Sequence, residues 1–439
     1  MDASGSPAAA RDLAHLERLY RRVRNQSMTL VEGLTPEDCM VQSMVEASPV
    51  KWHLAHVTWF FETLVLETWL PRFGLQFRAF SPAYRLLFNS YYVGVGPRQP
   101  RAERGALSRP SLKEVFAYRA AIDEQMIALM RLADAEPALS RLITLGINHE
   151  QQHQELILTD LKHHFSRNPL LPAFVESRQG QHTSPSLLNR FVEFPGGKDQ
   201  IGHAGDSFAF DNECPRHSVW IEPFEMATRP VTNAEYMEFV KDGGYRRADL
   251  WLSDGWDTVC RERWDAPLYW LEDGGVFTLA GRQALDPDEP VCHISYYEAD
   301  AFAHWAKARL PSESEWEHVA QSVTGDEDTA GAQVRPNFLE SGLLHPRAAA
   351  TQEQAGSGMV QLFGDVWEWT QSAYLPYPGF EPSEGAVGEY NGKFMVNQLV
   401  LRGGSCATPA DHIRASYRNF FYPQARWQFS GIRLARDLR

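Results

Sequence analysis

The sequence predicts an α+β protein in which a four-helix bundle precedes an irregular domain of short strands. Apolar residues recur at helical spacing in four segments of the first 165 residues, at 10–26, 49–70, 111–132 and 136–165. After residue 190, apolar stretches such as Phe191-Val-Glu-Phe194 are short, and Gly, Pro and Asp residues separate them. Two helices are clear in this half, one at 233–241 after a Thr232 cap and one at 295–308. We therefore expect a helical domain at 10–165, a linker at 166–190 and a second domain at 191–439.

Composition narrows the class of protein. The chain of 439 residues is long enough for two domains with separate cores, and its net charge of −14 argues against a nucleic-acid or anionic-lipid surface. No apolar run reaches membrane-spanning length, and the N-terminus lacks the pattern of a signal peptide. Five scattered cysteines indicate reduced thiols rather than a disulfide framework. These features predict a cytoplasmic protein without nucleic-acid or membrane partners.

The most informative motif is a pair of histidines in the fourth predicted helix. His149 and His153 are four residues apart, so their imidazoles share one helix face about one turn apart. Such a pair can occupy neighbouring positions on one metal ion, although the same spacing also suits a solvated pair on a polar helix. The second predicted helix offers a third histidine, for which His53 and His56 are the alternatives. Imidazole ligands do not by themselves distinguish Fe(II), zinc and copper.

Five segments of the second half resemble the sulfatase-modifying domain of the formylglycine-generating enzymes, which has a C-type-lectin-like fold. They are Arg229-Pro-Val-Thr-Asn-Ala-Glu-Tyr236, Arg309-Leu-Pro-Ser-Glu-Ser-Glu-Trp-Glu317, Gly364-Asp-Val-Trp-Glu-Trp-Thr370, Arg402-Gly-Gly-Ser405 and Ser430-Gly-Ile-Arg433. The resemblance implies the fold but not the activity, because one fold serves several chemistries. The formylglycine-generating enzymes need a close cysteine pair after Arg-Gly-Gly-Ser, and only Cys406 is present there.

The first half resembles the DinB-like four-helix domain, and the two halves together resemble the ergothioneine-pathway sulfoxide synthases over nearly the whole chain. The resemblance implies a non-haem Fe(II) enzyme that joins hercynine (N-α-trimethylhistidine) to a thiol with dioxygen, giving a sulfoxide. The family's iron ligands, a histidine in an Ala-His segment and both histidines of His-x-x-x-His, carry over to His56, His149 and His153. His53 is then a neighbouring or core group.

The resemblance also implies substrate-binding residues. Gln152 matches a family residue that lines the iron site, and Asn419, Phe420 and Phe421 match positions that contact the two substrates. Family members that use γ-glutamylcysteine carry Trp-Asp after the asparagine, whereas this chain has two phenylalanines. Free cysteine is therefore the expected thiol. An aromatic face also suits the trimethylammonium group of hercynine through cation–π attraction.

The long connection at 71–110 is expected to contribute the catalytic tyrosine. Oxygen chemistry at iron needs a donor of a proton or hydrogen atom, and a phenol such as Tyr91 or Tyr92 is suited to that role. Other members of the family place this tyrosine after the Trp-Glu-Trp-Thr segment, where the chain has Tyr374 and Tyr377. We favour Tyr91 and Tyr92, and the second pair remains an alternative.

Two arginines of the same connection, Arg98 and Arg101, are candidates for binding a substrate carboxylate. A guanidinium fork binds a carboxylate in bidentate fashion, although loop arginines are often simply solvated. Two rival functions also stay open. One is an ovothiol-type sulfoxide synthase that acts on unmethylated histidine. The other is a non-catalytic binding module, with zinc in the bundle and a ligand in the lectin-like domain.

Overall fold

The computed structural model describes residues 7–132, 136–176, 187–324, 336–349 and 358–438. The chain forms two compact units. Met1–Arg167 and Ser383–Tyr390 make up the first, and Asn168–Pro382 and Asn391–Arg439 make up the second. Residues 177–186 of the predicted linker lie outside the described residues, and the domain boundaries remain a prediction.

The first unit is helical, as the sequence predicts. Its helices are α1 (Pro7–Thr29), α2 (Val50–Phe60), α3 (Glu67–Trp69), α4 (Tyr84–Leu87), α5 (Leu112–Leu132) and α6 (Pro137–Ser166). Helices α1 and α2 each pack against both α5 and α6, which gives the core of four helices. A π-helical segment, Phe61–Leu66, joins α2 directly to α3. The predicted helix at 49–70 is therefore one helical run with a π-bulge, a feature that is frequent near functional sites.

A buried carboxylate fixes the rotation of α6. Glu150 accepts hydrogen bonds from Arg24 at 2.9 Å and from Ser27 at 2.6 Å, both on α1, and from Arg119 on α5. Burial alone would raise the pKa of Glu150, but the two guanidinium groups and the Ser27 hydroxyl outweigh it and lower that pKa to about 2. Because Glu150 follows His149 directly, these bonds also fix where the His149 side chain leaves the helix.

The second unit combines short helices with short strands. The helices are α7 (Asn233–Lys241), α8 (Ser253–Glu262), α9 (Tyr296–Trp305) and α10 (Glu313–Thr324). The sequence predicted α7, with its Thr232 cap, and a helix at 295–308 that ends earlier, at Trp305. Helices α8 and α10 were missed because polar residues dominate both segments. Nowhere in the described ranges is a helix both long and apolar enough to cross a membrane.

The strands of the second unit form two small sheets and two hairpins, which confirms the predicted α+β class. They are β1 (Phe191–Phe194), β2 (Gly197–Ile201), β3 (His217–Ile221), β4 (Phe224–Ala227), β5 (Gly275–Thr278), β6 (Gly281–Ala284), β7 (Trp367–Ala373), β8 (Leu399–Arg402), β9 (Asn419–Phe421), β10 (Ser430–Gly431) and β11 (Ala435–Asp437). One sheet has the order β1-β4-β11 and the other β10-β7-β8-β9, and β10 alone runs parallel to its neighbour. Hairpins β2-β3 and β5-β6 are separate.

Three of the five segments that resemble the sulfatase-modifying domain meet at one buried ion pair. Arg433 donates to Glu368 of β7 at 2.9 Å, and Trp316 of α10 donates its indole N–H to the same carboxylate at 2.7 Å. Arg433 also donates to the backbone carbonyls of Ala227 and Val360. Both charged side chains are 0% exposed. These three segments therefore have a structural role in the second unit.

Replacing Glu368 by alanine should destabilise the second unit strongly. The substitution leaves the Arg433 guanidinium buried without its counter-charge, which costs about 3–5 kcal/mol of unfolding free energy. Chemical denaturation of the variant measures this loss. Glu238→Ala, which removes one partner of an exposed pair with Lys241, is the control and should change stability little. Equal midpoints for the two variants would contradict the structural role of the buried pair.

Candidate metal centre

Three histidines from two helices of the first unit converge. One ring nitrogen each from His56 of α2 and from His149 and His153 of α6 lie within 4.8 Å of one another. The ring centroids are 4.6 to 5.0 Å apart. In the part of the chain that the structure describes, no other group of three His, Cys, Asp or Glu side chains has this spacing. The structure thus brings together the three residues that the sequence predicts as metal ligands.

The imidazole of His56 is held in one orientation. It lies between the indoles of Trp52 and Trp59, with centroid distances of 4.6 and 5.6 Å and interplanar angles of 11° and 15°. Its Nδ1 donates to the carbonyl of Phe88 at 2.6 Å, which places the proton on Nδ1. The buried Nε2 therefore carries a lone pair, and it has no hydrogen-bond partner among the described residues. An orphaned buried nitrogen of this kind fits a metal ligand.

A hydrogen-bonded chain orients His153. Asp160, two turns further along α6, accepts from His53 Nε2 at 2.9 Å and from the Ser48 backbone amide at 2.8 Å. The proton of His53 is then on Nε2, so its Nδ1 accepts from Nδ1–H of His153 at 2.8 Å. This leaves the Nε2 lone pair of His153 for a metal. Carboxylate–histidine contacts of this type orient metal ligands and raise their basicity.

Packing rather than hydrogen bonding positions His149. Both of its ring nitrogens are buried without a hydrogen-bond partner in the described residues, and its ring lies 4.9 Å from that of Phe60. One turn earlier on α6, a Cβ atom at Gly146 would come within 2.6 Å of the Phe61 ring and 2.9 Å of the Phe60 ring. The absence of a side chain there allows the two helices to approach closely at the level of the histidines.

Burial keeps the three imidazoles neutral. It lowers the pKa of His149 to about 3 and lowers the pKa values of His56 and His153 well below 6.5. For His56 and His153, the proximity of the other histidines acts in the same direction. Neutral imidazole is the form that binds a metal, so the site is ready for one at neutral pH. Three nitrogen donors suit a divalent transition metal and leave coordination positions for substrates.

The two predicted catalytic tyrosines belong to an aromatic group beside the histidines. The rings of Tyr91 and Tyr92 are stacked with centroids 4.7 Å apart, and Tyr92 lies 5.5 Å from Trp59, whose indole stacks on His56. Tyr92 is fully buried and Tyr91 is half-buried. Burial raises the pKa values of both phenols well above 10, so both hydroxyls stay protonated.

The alternative tyrosines lie in the second unit and have partners there. The Tyr374 hydroxyl accepts from the Asn212 side-chain amide at 2.9 Å, and the Tyr377 hydroxyl accepts from Arg402 at 3.2 Å. The guanidinium of Arg418 lies over both rings, 5.0 and 4.0 Å from their centres. Both phenols thus have hydrogen-bond partners in the second unit, and the choice between the two pairs of tyrosines stays a prediction.

The predicted carboxylate clamp, Arg98 and Arg101, is solvent-exposed, whereas the third arginine of the same run is not. Arg104 is 2% exposed, and its guanidinium carbon lies 3.4 Å from the centre of the Trp52 ring. It donates to the hydroxyls of two serines at 2.9 and 3.1 Å. Arg104 was not among the arginines that the sequence analysis named for the site, although its position three residues after Arg101 was a signal that it belongs to the same run. Burial lowers the pKa of the Arg104 guanidinium to about 8, and its contact with Trp52 connects it to the indole that stacks on His56.

The remaining predicted substrate residues are divided between the units. Gln152 is half-buried on α6, next to His153. Asn419, Phe420 and Phe421 form β9 in the second unit and are half-buried, and the Phe420 ring stacks on Tyr374 at 4.0 Å. Their roles in substrate binding stay predictions.

Two family models match the chain: the DinB superfamily over residues 19–157 and the sulfatase-modifying factor enzyme 1-like domain over 179–438. A hercynine oxygenase from Mycolicibacterium thermoresistibile is 34% identical, covering 97% of this chain and 95% of its own length. A hercynine oxygenase from Mycobacterium tuberculosis is 33% identical, covering 95% and 97%. The formylglycine-generating enzyme of Streptomyces coelicolor is 29% identical over 59% of this chain and 92% of its own. The matches confirm the predicted resemblance.

The structure predicts different effects for the ligands and for the groups behind them. His56→Ala or His149→Ala should abolish stoichiometric metal binding, because a three-nitrogen site cannot spare a ligand. His53→Ala and Asp160→Asn should weaken metal affinity by roughly 10- to 100-fold, since they act through His153. Metal titration of each variant tests this, with His163→Ala as a control outside the cluster. A greater loss in His53→Ala than in His56→Ala would mean that His53 is the ligand.

The metal-free protein should lose stability in mild acid. The pKa of His149 is about 3 in the folded protein and 6.5 in an ordinary imidazole, so the unfolded chain binds more protons between these values. The free energy of unfolding therefore falls as the pH drops below 6.5. For His149 alone, the loss between pH 7 and pH 5 is about 2 kcal/mol. Urea unfolding of chelator-treated protein measures it. An unchanged pH dependence in His149→Gln would contradict the burial of a neutral imidazole.

Proposed function

The chain belongs to the hercynine oxygenase family, and on that premise we propose that it is a non-haem iron(II) sulfoxide synthase. It would join cysteine to the imidazole ring of hercynine with dioxygen, giving hercynylcysteine sulfoxide in ergothioneine biosynthesis. The observation that carries the proposal is the cluster of three buried, neutral histidines with nitrogens left for a metal. The overall reaction balances, because the imidazole C–H, the S–H and one oxygen atom give water, and the other oxygen atom gives the sulfoxide.

The chain's own residues prepare the site for this chemistry. His56, His149 and His153 would hold the iron, and the Asp160–His53 pair keeps the proton of His153 on Nδ1. Iron(II), when bound, would pass electrons from the two substrates to dioxygen and would provide the site where thiolate, imidazole and dioxygen meet. The indoles around His56 exclude water from the ligand nitrogens, which strengthens every electrostatic interaction there.

A tyrosine of the long connection is proposed to manage the proton or hydrogen atom during oxygen reduction. The phenols of Tyr91 and Tyr92 retain their hydrogens because burial disfavours the phenolate. One aromatic ring separates each phenol from a proposed metal ligand, and a protonated phenol at this position is proposed to donate during oxygen reduction. Their stacked arrangement also limits the positions that either hydroxyl can take.

The substrate assignments follow the chemistry of the side chains. Phe420 and Phe421 present apolar faces that suit the trimethylammonium group of hercynine, and Gln152 is proposed to line the iron site. Arg98 and Arg101 remain the proposed clamp for a substrate carboxylate, and their exposure leaves them available to a ligand. A phenylalanine at 421 offers no counter-charge to the ammonium of a γ-glutamyl group, so cysteine is the proposed thiol.

Mass spectrometry of the products formed from hercynine, cysteine, Fe(II) and air tests the function. The proposal expects one product with the mass of the cysteine sulfoxide conjugate and the uptake of one dioxygen. Replacing hercynine by histidine tests the ovothiol-type alternative. A protein that retains only zinc and consumes no oxygen would support a non-catalytic binding module and contradict the proposal.

Competition between cysteine and γ-glutamylcysteine at equal concentrations tests the choice of thiol. An unpaired ammonium at Phe421 would cost on the order of a few kcal/mol, which corresponds to roughly 100-fold discrimination. The ratio of the two product masses measures it. Equal or preferential use of γ-glutamylcysteine would contradict the assignment of Phe421.

Tyr91→Phe and Tyr92→Phe should impair sulfoxide formation much more than substrate binding. The phenol acts after the substrates are bound, so kcat should fall by about 100-fold or more while KM changes little. Part of the thiol should instead be oxidised to a sulfinate. Tyr377→Phe serves as the matched comparison and should preserve the product ratio. Normal sulfoxide formation in both single variants and the double variant would shift the role to Tyr377.

A further inference from the structure

A segment from the second half of the sequence lies within the helical unit. Ser383–Tyr390 is part of the first unit, although the sulfatase-modifying family model covers it. Its residues Gly385–Glu389 form a 3-10 turn that packs against a second 3-10 turn, Val93–Val95. That second turn follows directly after Tyr91 and Tyr92. The two proposed catalytic tyrosines are therefore next to a segment that lies nearly 300 residues further along the chain.

Glu389 holds the turn after the tyrosines by both oxygens of its carboxylate. One oxygen accepts from the Val93 amide at 2.9 Å and the other accepts from the Gly94 amide at 2.7 Å. Hydrogen bonds from backbone amides to a carboxylate are stronger than those between neutral groups. A Cβ atom at Gly94 would lie 2.9 Å from the Glu389 Oε1 atom, so a side chain at this position would push the carboxylate aside.

The side chain of Asn89 also holds the backbone of the loop that contains Tyr91 and Tyr92. The Asn89 side chain donates to the carbonyls of Tyr92 at 2.9 Å and Gly96 at 3.2 Å, and it accepts from the Tyr92 amide at 3.1 Å. Asn89 is fully buried, whereas Glu389 is half-buried. Two side chains thus hold the backbone around Tyr91 and Tyr92. Asn89 is buried and close to them in sequence, and Glu389 is more exposed and distant in sequence.

The residue after Glu389 reaches the histidine cluster. The ring of Tyr390 lies edge-on to His149 with centroids 5.4 Å apart, and it is 6.1 Å from the ring of Tyr91. Tyr390 is 7% exposed. Glu389 therefore contacts the turn that follows Tyr92, and Tyr390 contacts His149, a proposed metal ligand. The segment thus sets the spacing between that turn and His149.

We propose that Glu389 is a positioning residue for the sulfoxide-forming reaction. Its carboxylate fixes the backbone at Val93 and Gly94, which holds the phenols of Tyr91 and Tyr92 at one distance from the three histidines. Tyr390 completes the wall between them. The inference rests on the proposed function and names a residue outside the predicted set. A displacement of about 1 Å in a reacting group can cost roughly 100-fold in rate, so a hydrogen-bonded anchor of this kind matters for the chemistry.

Glu389→Gln tests the inference in the full-length, iron-loaded protein. The amide keeps the shape of the side chain but turns an N–H group toward one of the two backbone amides. Hydrogen exchange of the peptide 89–96, followed by mass spectrometry, should show the Val93 and Gly94 amides exchanging about 10-fold faster. The kcat for sulfoxide should fall about 10-fold with KM nearly unchanged, and a larger share of the thiol should appear as sulfinate.

Glu384→Gln is the control, since Glu384 is exposed in the same segment and should alter none of these quantities. Gly94→Ala should reproduce the effects of Glu389→Gln by displacing the carboxylate. Unchanged exchange in Glu389→Gln, or faster exchange with wild-type kcat and product ratio, would overturn the inference. A wild-type protein that makes no sulfoxide would instead contradict the proposed function, and the catalytic half of the inference with it.

Discussion

The first unit holds three neutral imidazoles against one another, and the surrounding helices and loops support this cluster. A buried nitrogen without a hydrogen-bond partner costs about 1–3 kcal/mol, and His56 and His149 together contain three such nitrogens. A folded chain tolerates this cost when the surroundings are rigid and a ligand compensates for it. The Glu150 ion network locks α6 against α1 and α5, and the indoles on α2 enclose His56. A bound metal would satisfy the nitrogens that the protein leaves without partners.

The same helix face that carries His56 also anchors the connection with the proposed catalytic tyrosines. Trp52 and Trp59 donate their indole N–H groups to the carbonyls of Leu87 and Arg85, both at 3.2 Å, and His56 donates to Phe88. These three hydrogen bonds thus hold the backbone of residues 85–88, which come shortly before Tyr91 and Tyr92. Ligand orientation and loop position are therefore coupled, because one set of side chains sets both. Glu389 would then hold the far end of that loop.

Local patterns in the sequence predicted the long helices of the first unit well. Contacts between residues that are distant in sequence could not be predicted from these patterns. The spacing of His149 and His153 follows from helix periodicity, and the capping residues fixed the start of α7 at Asn233. The contacts of His53 with Asp160 and of Glu389 with Val93 could not be predicted, since they join positions more than 100 residues apart. Helices α8 and α10 were missed because polar residues dominate both segments. The choice of His56 as a ligand came from family resemblance, and the hydrogen bonds of His53 agree with it.

The most direct test of the metal centre is anomalous diffraction at the iron and zinc edges from crystals of anaerobically iron-loaded protein. We expect one iron ion bound by Nε2 of His56, Nε2 of His153 and one ring nitrogen of His149, while His53 remains hydrogen-bonded to Asp160. An ion bound by His53, or a site that holds only zinc under these conditions, would contradict this expectation.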